Sequence, residues 1–244
     1  MTQDQGIWVL GYGSLIYNPP QHYQYRVPGI IYGYKRRFWQ SSSDHRGTPE
    51  NPGRVATLIP YESIVEKPEY LHNVTTYRSQ QPKCPEDLQV LSMAYYIPAE
   101  RAQQVLQFLD VREQDGYTQR NVEVHLETDG VKDEGLITAL AQLPTHPRTQ
   151  KPILRTLVYI GVVGNDSFVG LEPIEHTAKV IRCSRGLSGH NNEYLANLYA
   201  ALLDIAQSLS LPLEQLEDTY LRELVRLVQR DPAVFETSLQ STRI

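Results

Sequence analysis

The sequence predicts an α+β domain, on three observations. Strand-length apolar runs closed by Gly or Pro come first in the 244 residues, patterns of helical period fill the last quarter, and the two do not alternate as βαβ units. With 41% apolar and 21% charged residues the chain has the composition of a folded protein. Its length suits one domain over residues 1–244, with a motif-bearing core at about 6–210 and a C-terminal helix at 211–235.

Taken in order, Ile7 to Leu10 and Val55 to Ile59 are short apolar strands, and Val90 to Ile97 is a third that stops at Pro98. Asn121 to Glu127 alternates: Val122, Val124 and Leu126 face one side, and Asn121, Glu123, His125 and Glu127 the other. A half-buried strand is expected there. Leu154 to Val163 is β-branched and aromatic enough for a buried strand. Ser79 to Asp87 and Gln142 to Pro152, polar and proline-bearing, are expected as loops.

Between the third strand and the alternating one, Pro98 opens a helix with Ala102, Val105, Leu106 and Leu109 at helical spacing. Continuing that inner face from Leu109 lands on Glu113, so a carboxylate points where a leucine belongs. Such a group needs a cationic partner, with Arg120 one candidate, or it acts as a base of raised pKa. Near the C-terminus, Asn191 or Asn192 caps a helix whose core stripe is Leu195, Leu198, Leu202 and Ile205. A second helix beyond Pro212 carries Leu216, Tyr220, Leu221, Leu224 and Val228 on one face.

Several classes of function are disfavoured. The net charge is −5 and the only dense basic run is Lys35, Arg36 and Arg37, which argues against a nucleic-acid partner. No run approaches the ~20 apolar residues of a membrane span, and the N-terminus has no basic region followed by an apolar one, so a cytosolic protein is expected. Cys84 and Cys183 form no C-x-x-C pair and read as reduced thiols. The seven histidines include no H-E-x-x-H motif and no i, i+4 pair, so no metal is expected. "SRGLSGHNN" has the wrong spacing for a nucleophile elbow.

The run "IWVLGYGSLI" places Gly11 and Gly13 after a strand, but Ile16 stands where a dinucleotide fingerprint needs its third glycine, and Pro19-Pro20 follow. Two readings remain: a structural turn, or a turn whose successive N–H groups cradle an anion or a polarised carbonyl. "SSSDHRGTPENPGRVATL" is a long loop entering a strand. It is either a rigid turn pinned by Asp and Arg hydrogen bonds or a rim where Arg46 or Arg54 receives a substrate carboxylate.

Together "GYGSLI", "GYKRRFWQSSSDHRGTPENPGRVATL", "LDVREQDGYT" and "SGHNNEYLANL" resemble the ChaC family of γ-glutamylcyclotransferases, in its glutathione-specific branch, and run in family order from residue 8 to about 200. The resemblance implies a small closed β-barrel with flanking helices and a helical C-terminal segment. It also implies cleavage of reduced glutathione to 5-oxoproline and cysteinylglycine, with neither metal nor cofactor. By the same resemblance the backbone of Leu10, Gly11, Tyr12, Gly13, Ser14 and Leu15 holds the γ-glutamyl group and Glu113 is the acid/base. Tyr117 and Tyr159 are expected as walls, and Arg46 or Arg54 as receptor of a substrate carboxylate. Cyclotransfer from other γ-glutamyl amines, or a non-catalytic binding module, are the alternatives; no oligomeric partner is indicated.

Overall fold

The computed structural model describes residues 6–112, 118–160 and 165–230. Five antiparallel strands form the main sheet: β1 (Ile7–Gly11), β2 (Tyr25–Tyr32), β5 (Gln89–Ile97), β6 (Thr118–Leu126) and β7 (Ile153–Ile160), in the spatial order β1-β5-β2-β6-β7. Beyond Gly33 the chain leaves β2 to form a second, two-stranded sheet of β3 (Tyr34–Ser42) and β4 (Gly53–Pro60). The large sheet curls until its edges β1 and β7 lie against each other, although among the described residues no ladder joins them. The expected barrel is therefore a curled half-barrel.

Strand β5 shows why this arrangement holds two cores. Its side chains alternate between faces. Leu91, Met93, Tyr95 and Ile97 enter the larger apolar cluster beneath the helices, while Val90 and Ala94 enter the barrel interior. Val122, Val124 and Leu126 fill that interior from β6, as the alternation predicts, and their outward neighbours are more exposed. Each such burial removes apolar surface from water for about 1.5–3 kcal/mol per large side chain.

Helices lie between strands as well as after them: α1 (Tyr61–Glu66) and α2 (Pro68–Arg78) precede β5, α3 (Ala99–Arg112) precedes β6, and α4 (Glu134–Leu140) precedes β7. After β7 come α5 (Ile174–Cys183), the two-residue strands β8 (Arg185–Gly186) and β9 (Gly189–His190), and α6 (Asn191–Ser208). Only α3 and α6 among these helices were expected from periodicity. In α3 the buried face is Val105 and Leu109; Leu106, expected on it, is 42% exposed, because it lies about 100° around the helix from Val105. The α6 stripe is as predicted, with Leu195, Leu198, Leu202 and Ile205 all buried.

Two expectations about the C-terminal third are corrected. His190, not an asparagine, is the N-cap of α6, and Glu193 reaches back to accept from its N–H at 3.1 Å. Asn191 is buried in the first turn instead, accepting from Arg54 N at 2.6 Å and donating to Arg54 O at 2.8 Å. The helix beyond Pro212 is two helices, α7 (Leu213–Leu216) and α8 (Tyr220–Gln229), interrupted at residues 217–219.

The interruption and the basic run explain each other. Lys35, Arg36 and Arg37 on β3 are 3%, 2% and 0% exposed, so the sequence's one cationic run is interior. Lys35 donates to the Gln89 carbonyl at 3.1 Å, and burial pushes its pKa down. Arg36 pairs with Glu217 at 2.6 Å, and Arg37 grips both carboxylate oxygens of Asp218 at 3.2 and 2.8 Å. Burial alone would raise the Asp218 carboxyl, but Arg37 and Lys35 hold it below the usual range. Glu217 and Asp218, the acids of the two pairs, are the first two of the three residues at the break.

Candidate active site

The candidate site begins where β1 ends. A Cβ on Gly11 would stand 2.8 Å from Leu15 Cβ, so only glycine lets the chain fold back onto the 3-10 turn Ser14–Ile16. At Gly13 an added Cβ would lie 3.0 Å from the Tyr194 hydroxyl, closer than ordinary packing allows. Leu10 is anchored in the barrel interior, and residues 12–15 are half-buried.

The carbonyls of this turn are tied down from several directions. Ile16 N donates to Gly13 O at 3.0 Å, Asn18 N to Ser14 O at 2.8 Å, and Arg36 Nε to Tyr12 O at 3.0 Å. The Tyr95 hydroxyl donates to Leu15 O at 2.7 Å and to Ile16 O at 3.2 Å. Burial pushes the Tyr95 phenol far above its ordinary pKa, so it remains a donor at any physiological pH. The N–H groups of Gly13, Ser14 and Leu15 all precede the first internal bond of the 3-10 turn, from Ile16 N to Gly13 O. N–H groups presented together in this way suit an oxygen that carries or develops negative charge.

Tyr194, on the first turn of α6, joins this turn to the loop after β3. Its hydroxyl accepts from Ala56 N at 3.3 Å, and its ring meets Tyr17 and Phe38 edge-on at 6.0 and 5.7 Å. The Arg46 guanidinium lies 5.7 Å from the centre of the same ring and donates to His190 O at 2.9 Å, with Glu193 at 3.8 Å. Among the described residues these polar contacts of Arg46 all run through Nη1, beside Tyr194. Arg54 is differently placed: 7% exposed, it holds Glu172 through Nε and Nη2 at 2.8 and 2.9 Å, while Nη1 faces the carbonyls of Pro52 and Gly53. The fork expected to meet a substrate carboxylate already holds one belonging to the protein.

The loop itself is pinned, as one of its two readings anticipates. Ser42 Oγ accepts from Arg46 N at 3.1 Å, Asp44 O from Leu187 N at 2.8 Å, and His45 O from Ser188 N at 3.0 Å. Glu113 and Tyr117 lie outside the described residues. Tyr159 is paired with Gln119 through its backbone in the β6–β7 ladder, and its side chain lies outside the described set. Among the described residues no cluster of three or more His, Cys, Asp or Glu side chains could hold a metal ion.

A family model described as "ChaC-like protein" matches residues 7–231 of this chain. The chain belongs to the ChaC family. The glutathione-specific gamma-glutamylcyclotransferase of Saccharomyces cerevisiae is 57% identical over 204 residues, covering 83% of this chain and 88% of that protein. A protein of the same description from Schizosaccharomyces pombe is 37% identical over 203 residues, covering 83% and 85%. The crystal structure of the selenomethionine-labelled yeast cyclotransferase specific to glutathione superposes with a TM-score of 0.83 at 52% identity, over 93% of this chain and 97% of that one.

Within this ChaC chain, three residues around the turn escape sequence reading: Arg36, Tyr95 and Tyr194. Arg36 sits in a basic run weighed only against a nucleic-acid partner, and Tyr95 in a strand read only for its apolarity. Arg36 and Tyr194 left a signal only as members of the family stretches "GYKRRFWQSSSDHRGTPENPGRVATL" and "SGHNNEYLANL".

Proposed function

We propose that this protein is a γ-glutamylcyclotransferase acting on reduced glutathione. The observation that carries the reading is the turn of residues 11–15, whose carbonyls at Tyr12 and Gly13 are both bonded on one side while their peptide N–H groups lie trans to them. The names of the yeast relatives supply the substrate.

In the proposed reaction the glutamyl α-amine attacks its own γ-carbonyl carbon. A C–N bond closes the five-membered ring, the γ-peptide C–N bond breaks, and 5-oxoproline and cysteinylglycine separate. Glu113 takes the proton from the α-ammonium and returns one to the departing cysteinyl amine. An ordinary carboxyl near pKa 4.3 facing an α-amine near 7.8 leaves the transfer about 5 kcal/mol uphill, a gap that burial of the carboxyl narrows. The helical spacing of the sequence supports the assignment, since position 113 follows the buried Leu109 by four residues. The turn's amides would hold the oxygen on which charge develops, each well-placed donor contributing about 3–4 kcal/mol. Arg46, beside Tyr194, is the candidate for a substrate carboxylate, while Tyr117 and Tyr159 are proposed walls.

We place the reaction in the cytosol. Supporting this, Cys84 and Cys183 are both free thiols, and among the described residues no helix is long and apolar enough to cross a membrane.

Incubation with glutathione, oxidised glutathione and γ-glutamyl-alanine, followed by detection of 5-oxoproline, tests the reading. Release from glutathione alone is expected; release from the dipeptide would widen the substrate class, and no release from any would leave a binding module. Glu113→Gln is expected to lower turnover by about 10²–10⁴-fold while glutathione still binds. Full turnover in that variant would remove Glu113 from the mechanism.

A further inference from the structure

We infer that Arg36 is a positioning residue for the cyclisation, acting through the Tyr12–Gly13 peptide and held in place by Glu217. The inference rests on the cyclotransferase reading and deepens it. A trans peptide is a rigid plane in which C=O and N–H point opposite ways. The Arg36 Nε bond to Tyr12 O at 3.0 Å therefore fixes the direction of the Gly13 N–H, one of the proposed oxyanion donors. It also draws electron density toward the Tyr12 carbonyl, which makes the same N–H a stronger donor. The next peptide is fixed likewise by Ile16 N on Gly13 O, so two consecutive amides have their far ends anchored.

Arg36 is itself triangulated. Nη1 meets Glu217 Oε1 at 2.6 Å and Nη2 meets the Leu91 carbonyl. The same Glu217 oxygen accepts from Leu91 N at 2.8 Å. Three acceptors from the end of β1, from β5 and from the α7–α8 break thus surround one planar group, with the arginine 2% and the glutamate 6% exposed. At the arginine and glutamate water has little access to replace a lost partner. Lysine, a single point donor, cannot span the three.

The neighbouring Arg37 provides an internal control. It makes an equally buried pair with Asp218, but among the described residues its remaining contacts are Asn73 Oδ1, the Arg36 carbonyl and the rings of Tyr77 and Tyr220, with none to the turn. Arg36→Lys and Arg37→Lys are to be compared with wild type for thermal midpoint and, in an assay that follows release of 5-oxoproline, for kcat and KM. Both variants should melt earlier. Only Arg36→Lys should lose kcat, by roughly 10–100-fold, because the donor it orients acts on charge that develops in the transition state. Its KM should stay within about threefold, and the kcat of Arg37→Lys within about twofold.

Wild-type kcat in folded Arg36→Lys, or equal losses in the two variants, would overturn the assignment. Should Arg36→Lys not fold, the double variant Arg36→Met with Glu217→Met takes its place, since an apolar pair of similar volume often substitutes for a buried ion pair without loss of stability. The same fall in kcat is expected. Failure of both to fold would assign Arg36 to the fold alone and overturn the inference. Absence of 5-oxoproline from wild type would overturn the cyclotransferase reading itself, an outcome distinct from retained kcat in an Arg36 variant.

Discussion

Arg36 and Arg37 are consecutive on one strand, equally buried, and each paired with an acid 181 residues away, yet they serve opposite faces of the sheet. One ends at a carbonyl of the candidate substrate turn; the other ends among Asn73, Tyr77 and Tyr220. What an ion pair does here follows from the third group its arginine touches. The pair alone says little, because desolvation offsets much of the attraction between buried charges.

The largest effect that would sharpen this contrast is on stability. Arg37→Ala leaves the Asp218 carboxylate buried without its main partner and should cost about 3–5 kcal/mol by urea denaturation. The kcat of the folded fraction should be unchanged; a loss of kcat would erase the distinction between the two arginines.

Next comes Asp218→Asn, expected to cost about 2 kcal/mol at neutral pH. Because the Asp218 carboxyl is held below its ordinary range, its contribution is full above the unfolded pKa near 3.9 and is lost as the pH falls through the lower folded value. Wild type should therefore lose stability as the pH falls below about 4, and the asparagine variant should lose less. Equal acid sensitivity in the two proteins would mean that Asp218 is not a source of it.

Smaller again is Glu217→Gln, which keeps an acceptor for Arg36 but removes the charge; kcat should fall about threefold to tenfold with little change in KM. The smallest is Thr219→Ala. Its hydroxyl donates to Tyr77 O at 2.9 Å on the Arg37 side, so the change should cost about 1 kcal/mol of stability and leave kcat alone.

Sequence reading succeeded where one element's pattern sufficed. The alternation of Val122, Val124 and Leu126, and the stripe of Leu195, Leu198, Leu202 and Ile205, are local periodicities, and both emerged as buried faces. It failed where the partner is distant. Nothing beside Lys35, Arg36 and Arg37 signals that two of them meet acids 181 positions later, so the run reads only as a dense basic cluster. The same acids hide the break between α7 and α8, since Leu216, Tyr220, Leu221 and Leu224 continue a helical period across it. Helix α2, with β-branched Val74, Thr75 and Thr76 in sequence, has weak propensity and little apolar bias to one face. At the candidate site the glycines of the turn were legible, because Gly11 and Gly13 follow a strand. The groups that fix its carbonyls were not, because Arg36 and Tyr95 reach it from other strands.

The distance between Arg36 and Glu217 also sets an order of events during synthesis. At roughly 5–20 residues per second a ribosome needs about 10–40 s to travel from one codon to the other. Throughout that interval β3 carries two arginines without their acidic partners, so the strand cannot settle into the interior. The turn that would grip the γ-glutamyl group, although among the first segments to emerge, is therefore among the last to become rigid.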